Sequence, residues 1–255
     1  MTQLELGTLL AAVVGITACR ARALTAGGAA AAFVVGTIVF GGGGWRAALV
    51  LFAFFIPSTL LSRWGHRKKR TLGKDVAKQG ARDAWQVLAN GGVAAVCVLV
   101  ALRGFAAFAA AFAGAFAAAS ADTWGTEIGT LSRAAPRSVL TLRPIRPGFS
   151  GGVTILGIAA TAGGAILVAG VAAGLHIAPF WAVLAGGVAG ATLDSVLGAG
   201  AQALRWCPAC AGGCETDPHY CGAPTDLRRG VAWLGNDAVN LAATLCGAAV
   251  AGLLA

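Results

Sequence analysis

The sequence predicts an all-α fold, a polytopic transmembrane helix bundle of about eight spans with no soluble domain. Three observations predict it. Hydrophobic residues make up 57% of the chain and charged residues only 11%, against about 25% charged in a soluble domain. The apolar residues come in long runs separated by short polar connections. Those runs are rich in alanine and in the 38 glycines, and small residues let membrane helices approach closely. A single integral-membrane domain over residues 1–255 covers the chain, with a Cys/His-rich loop at 205–230 inside it.

The first span is expected at 4–19, since Met1 to Gly7 carry no basic segment of the kind that opens a cleaved signal. It ends at Arg20 and Arg22. The second, 24–40, stops at a run of four glycines, and the third, 45–61, stops at Arg63. The fourth, 84–102, begins after Asp83 and carries Gln86 and Asn90 at the helical spacing i+3 and i+7 from that acid. The fifth, 105–120, opens on fifteen residues of only Ala, Phe and Gly. The last three are 151–173, 180–200 and 231–254. Several are shorter than the ~20 residues of a straight crossing.

The basic residues test this count. With eight spans, every Lys and Arg except Arg46 and Arg103 falls on one side of the membrane. The positive-inside rule makes that side cytoplasmic and puts both termini outside. The expected location is therefore the inner cell membrane. A net charge of +9 confined to loops suits orientation and anionic ligands. Nucleic acid is not expected as a partner, because no soluble domain is predicted that could hold a basic face.

The polar residues fall on the same side. Asp122 and Glu127 sit where the fifth span is expected to end, Asp194 and Ser195 lie in the inner half of the seventh, and Asn236, Asp237 and Asn240 open the eighth. Each alone could be a solvated helix end, and Asn236 or Asp237 an N-cap. Together with Asn90 they are better explained by one shared site, since ionisable groups at membrane depth usually mark function. Clustered carboxylates, amides and hydroxyls suit Mg²⁺. Beside them lies a loop with Arg133, Arg137, Arg143 and Arg146, stiffened by Pro144 and Pro147. It ends in Gly148-Phe149-Ser150-Gly151-Gly152, just before the sixth span. A glycine turn at a helix N-terminus offers N–H groups to an anion, and arginine adds phosphate contacts. Mg²⁺, arginine and a helix N-terminus are the parts of phosphoryl transfer, although no Walker-type motif is present. The basic residues of 63–78 read more simply as topology signals or lipid-headgroup contacts. A site on membrane helices implies an amphiphilic substrate, with a phosphate at the surface and a tail between helices.

The 205–230 loop offers Cys207, Cys210, Cys214, His219 and Cys221, five potential ligands for four tetrahedral positions. A structural Zn²⁺ on Cys207, Cys210, His219 and Cys221 is the preferred reading. Free thiols or a disulfide are the alternatives. His66 and His176 read as ordinary loop residues.

The chain resembles the integral-membrane family that includes transmembrane protein 19 and the plant chloroplast phytyl-phosphate kinase. The resemblance runs nearly end to end. It is carried by Gln86 to Gly91, by Asp122-Thr123-Trp124 with Glu127 and Gly129, by Gly148 with Gly151-Gly152, by Asp194-Ser195 with Gly198, and by Asn236-Asp237 with Val239-Asn240. The sequence departs at Phe149-Ser150, where the family has Thr-Asn. The resemblance implies a kinase that converts an isoprenoid monophosphate to the diphosphate, with CTP or another nucleoside triphosphate as donor. In that reading Asp122, Glu127, Asp194 and Asp237 hold Mg²⁺ and share any base role. Asn90, Asn236 and Asn240 orient phosphates or metal waters, and Arg143, Arg146, Gly148, Gly151 and Gly152 bind phosphate. The rival classes are a transporter or flippase of an anionic amphiphile, another lipid-phosphate transferase, and a non-catalytic scaffold. Transporter sites usually lie near the midplane between repeats, and no repeat is visible here.

Overall fold

The computed structural model describes residues 1–64, 80–105 and 107–255. His66 and the basic residues Arg67, Lys68, Lys69, Arg70, Lys74 and Lys78 lie outside the described residues. Eight α-helices run through the rest. They are Gln3–Arg20 (α1), Ala26–Thr37 (α2), Gly43–Arg63 (α3), Ala84–Ala101 (α4), Ala107–Gly129 (α5), Ile155–Gly174 (α6), Phe180–Gly200 (α7) and Asn236–Leu253 (α8).

Local chemistry sets most of the boundaries. Thr2 accepts from the N–H of Glu5, and the Glu5 carboxylate accepts from the N–H of Thr2, closing a capping box on α1. Asp83 and Gln86 close a second box on α4. Thr25 and Thr154 cap α2 and α6. A π-helical turn, Ile38–Gly42, continues α2, and the chain then breaks at Gly44, whose φ of +70° lies in the left-handed region. That break divides a 38-residue apolar segment, Ala26–Arg63, which as one straight helix would be about 57 Å long.

Among the described residues, five helical segments are long and apolar enough to cross a membrane: Gln3–Arg20, Ala26–Arg63, Ala84–Ala101, Ile155–Gly174 and Phe180–Gly200. The two remaining helices, α5 and α8, carry acids and amides within their own length. Exposed tryptophans mark both ends of the bundle: Trp45 and Trp181 at one, Trp64, Trp85 and Trp233 at the other. Along α3, Trp45 to Trp64 is about 28 Å at 1.5 Å per residue, close to the thickness of a hydrocarbon core. Leu6, Leu9, Val13, Val96, Leu99, Ile158, Ile166 and Leu245 are exposed on the helix flanks between, where lipid would cover them.

The hub is α5. Residues 110–121 are buried without a gap, because α3, α4, α6, α7 and α8 all pack on that helix. Such crowding needs small side chains. A methyl group at Gly114 would collide with the Gly247 carbonyl and Ala251 of α8. The Thr244 hydroxyl of α8 donates to the Ala89 carbonyl of α4 (2.9 Å), one of the few polar contacts between helices in this core.

The all-α expectation needs correcting. Two connections form small sheets among the described residues. Arg137–Ser138 (β1) pairs antiparallel with Gly152–Val153 (β2). Leu204–Cys207 (β3), Gly212–Cys214 (β4) and Asp226–Arg229 (β5) form a sheet of order β4-β3-β5. These connections are too long and too polar to be simple turns, and pairing satisfies their backbone groups. Three helix boundaries also differ from expectation. The α5 helix continues to Gly129 rather than ending at 120, so Asp122 and Glu127 lie inside it. Both α6 and α8 start later than expected, at Ile155 and Asn236, because β2 and the β5 connection take the residues before them.

Candidate functional site

The helix ends at one pole of the bundle surround a cleft of about 1230 Å³. Each helix contributes through its end or the adjoining connection: the α1–α2 link, the C-termini of α3, α5 and α7, and the N-termini of α4, α6 and α8. The chain therefore alternates direction, as the distribution of basic residues implies. Asn90, Asp122, Glu127, Asp194, Ser195, Asn236 and Asn240 line this cleft, as do Gly148, Gly151 and Gly152.

The α5 block explains itself residue by residue. Trp124 lies against Gly163 and Gly164 of α6, and a side chain at Gly125 would collide with Thr161. At Gly129 a methyl would stand 3.2 Å from the Cα of Gly157. These residues lock α5 to α6 and leave Asp122, Thr123, Thr126 and Glu127 on the cleft wall. The carboxyl of Asp122 lies within hydrogen-bond reach of Asp194 on α7 and close to Glu127. Asp194 in turn lies close to Glu215. Asp194 Oδ2 is buried and has no hydrogen-bond partner among the described residues.

Two expected groupings are redistributed. Asp83 and Gln86 are tied to each other in the α4 cap, so the stripe Asp83, Gln86, Asn90 is partly a helix start. Asn90 donates to the Gln86 carbonyl (2.9 Å) and, with Gln86, faces the cleft. The N-cap of α8 is Gly235, so neither Asn236 nor Asp237 takes that role. Asp237 is not on the cleft wall, and neither are Arg143 and Arg146. The main-chain carbonyl of Arg143 accepts from Ser138, and the Arg146 guanidinium lies over the Phe149 ring at 5.7 Å. The cleft instead takes Arg22, Arg63, Arg82 and Arg133. Arg82 sits beside Glu127. Burial pushes its guanidinium below the usual pKa, and the carboxylate opposes that shift. It nonetheless remains a cation.

The 148–152 turn is not directly at a helix N-terminus, because β2 and the Thr154 cap intervene. Gly148 and Gly151 have φ of +93° and +77°, and a side chain at Gly151 would collide with Ala199 of α7. Ser150 makes a contact that sequence reasoning missed. Its N–H donates to Glu215 Oε1 (2.8 Å) and its hydroxyl to Glu215 Oε2 (3.0 Å). Gln202 Nε2 donates to the same hydroxyl at 2.8 Å. Glu215 follows β4 in the cysteine loop, so that loop reaches the cleft wall. No sequence signal marks a pairing 65 residues apart.

A second, apolar cavity of about 60 Å³ lies among α1 to α5. Ala11, Ala32, Val35, Phe40, Phe54 and Phe116 form part of its lining, and Arg82, Gln86 and Asn90 belong to both cavities. The polar cleft thus adjoins an apolar slot.

In the cysteine loop, the Cys207, Cys210, His219 and Cys221 ligand atoms all lie within 4.8 Å of one another. The hydrogen bond from His219 lowers the Cys221 thiol to a pKa of about 6, and the contact with Cys221 raises Cys210 to about 11.

Comparison with known proteins supplies the lineage. A family model described as integral membrane protein DUF92 matches residues 9–248. The chain is similar to Protein PGR of Arabidopsis thaliana, 29% identical over 239 residues, covering 80% of this chain and 81% of that protein. It is 30% identical over 202 residues to the uncharacterised membrane protein MJ0933 of Methanocaldococcus jannaschii, covering 78% of this chain and 83% of that protein. It is 26% identical over 237 residues to the uncharacterised membrane protein sll0875 of Synechocystis, covering 90% and 82% respectively. No solved structure matches. A match over nearly all the helices that build the cleft leads to one conclusion: the chain belongs to the DUF92 family of integral membrane proteins.

Proposed function

We propose that the chain is a membrane-embedded kinase that converts an isoprenoid monophosphate, such as a phytyl or prenyl phosphate, to the diphosphate at the expense of a nucleoside triphosphate, CTP by the family resemblance. The observation that carries this reading is the shared wall between the polar cleft and the apolar slot, Arg82, Gln86 and Asn90. The junction offers an amphiphile a polar place for its phosphate head and an apolar wall for the first carbons of its tail. The resemblance to the family of the plant phytyl-phosphate kinase supplies the reaction. In this reading all eight helices cross the membrane, the cleft faces the cytoplasm, and both termini face out.

The chain's own residues divide the work. Arg82, at the junction, pairs with the substrate phosphate, and the exposed Arg22, Arg63 and Arg133 draw polyphosphate into the cleft. Asn90 and Asn240 orient phosphate oxygens. An ionised phosphate oxygen of the substrate attacks the terminal phosphorus of the donor. The new P–O bond forms as the bond to the bridging oxygen breaks, and the nucleoside diphosphate leaves. The nucleophile is already an anion, so no strong base is required.

Asp122, Asp194 and Glu127 would hold Mg²⁺. The donor set is all oxygen, as that ion prefers, and the buried Asp194 Oδ2, with no hydrogen-bond partner among the described residues, is placed to accept a cation. Bound there, Mg²⁺ would neutralise charge that develops on the transferring phosphoryl group. The test is a turnover assay on purified protein in detergent, offering phytyl or geranylgeranyl monophosphate, Mg²⁺ and labelled CTP, ATP, GTP or UTP in turn. Metal-dependent diphosphate formation by wild type and not by Asp194→Asn is expected. Absence of product with every donor and chain length would refute the kinase and favour transport of an anionic amphiphile.

A further inference from the structure

The cysteine loop is the feature that the reaction leaves unused. Its strands and turns bring four potential metal ligands together. Cys207 ends β3, and the turn to β4 carries Cys210. His219 and Cys221 come from a second turn, closed by hydrogen bonds from Gly222 N to the His219 carbonyl (2.8 Å) and from His219 N to the Ala223 carbonyl (3.0 Å). Cys207 is fully buried and His219 is 3% exposed, although both are polarisable ligands in a small loop with little core of its own. The Cys207 and Cys221 sulfurs stand 3.7 Å apart. Two thiolates at Zn–S distances of 2.3 Å on a tetrahedron are about 3.8 Å apart. His219 Nδ1 lies 3.1 Å from Cys221 Sγ. The fifth candidate, Cys214, is directed elsewhere, with its sulfur 3.7 Å from the Thr216 carbonyl. A soft set of three sulfurs and one imidazole nitrogen selects zinc among the common divalent metals.

We infer that Cys207, Cys210, His219 and Cys221 form a structural zinc site, and that its role is to hold Glu215 against Ser150 at the cleft wall. The connection is short. Zinc ties the β3–β4 hairpin to the His219 turn. The hairpin carries Gly213, where an added methyl group would meet the Phe149 ring at 3.8 Å, and leads into Glu215, which takes both the N–H and the hydroxyl of Ser150. Four protein ligands leave no open coordination position, which marks the ion as structural rather than catalytic. The site does not depend on the reaction proposed above.

The test uses the full chain, purified in detergent without a polyhistidine tag or chelator. Elemental analysis should find one zinc per chain in wild type and in Cys246→Ser, which alters a thiol in α8. Cys210→Ser and Cys221→Ser, both at exposed positions, should lose most of it. Cobalt added to metal-stripped wild type should give the intense visible bands of a tetrahedral thiolate complex. Zinc-free wild type that also fails to give that cobalt spectrum would overturn the site. Hydrogen exchange then tests the role. Stripping the metal should speed exchange both in 205–230 and in 148–152, and Glu215→Gln should speed it in 148–152 while retaining zinc. Faster exchange confined to 205–230 on stripping would overturn the link to the cleft.

Discussion

Glu5 and Asp194 are both acids on apolar helices, at opposite poles of the bundle, and they are used in opposite ways. Glu5 closes the capping box of α1 with Thr2, so its charge satisfies a backbone donor where the helix begins. Asp194 lies within α7, beside Asp122 and Glu215, with one oxygen unmatched. Asp83 belongs with Glu5, although it sits at the cleft pole, because it caps α4. A helix end explains an acid in a membrane protein when the acid accepts from its own helix. Asp122 and Asp194 lie inside their helices, face each other across the cleft within hydrogen-bond reach, and cap no helix end. Buried acids that capping does not explain point to a ligand.

The largest expected effect falls on the second group. Asp122→Asn and Asp194→Asn should each lower kcat by at least about a hundredfold, while the thermal midpoint in detergent stays level or rises as a buried carboxyl gives way to an amide. Unfolding together with loss of turnover would place these acids with Glu5. Next comes the slot. Ala32→Phe should narrow it and raise KM for a long-chain substrate about tenfold, with little change for a short-chain one. Equal effects on both chain lengths would separate the slot from the tail. Removing the α4 cap by Asp83→Ala should lower stability by about 1 kcal/mol, read as a drop in the thermal midpoint. The smallest effect belongs to Thr2→Ala, about 0.5 kcal/mol with unchanged turnover. A measurable fall in turnover there would break the contrast between the poles.

The helices were legible because each is an apolar run closed by Gly, Arg or a capping residue, and the charge asymmetry of the loops gave their alternation. The end of α5 was not. Asp122 looks like the start of a loop when an apolar run is its only context, but the helix continues because α6 supplies Gly157, Gly163 and Gly164 to pack against it. The cleft acids Asp122, Glu127 and Asp194 were legible as polar residues with no reason to be there. Arg82 hides beside a capping acid, and Glu215 hides among cysteines. Each reaches the site through tertiary contacts that leave no mark on the local sequence. Arg143 and Arg146, whose spacing near the glycines suggested phosphate contacts, stand off the cleft lining, with the Arg143 carbonyl paired to Ser138 and the Arg146 guanidinium over Phe149.

The buried run of α5 also constrains how this chain can change over time. Alanine codons lie one base from those of Val, Thr, Ser, Pro, Gly, Asp and Glu. Between five neighbouring helices, only serine and glycine from that set are small enough to fit without displacing a neighbour. Most amino-acid replacements reached by a single base change at the alanines of 110–121 would therefore be removed by selection. The hub should drift slowly, and paired exchanges between α5 and its neighbours should be the main route by which its packing diverges.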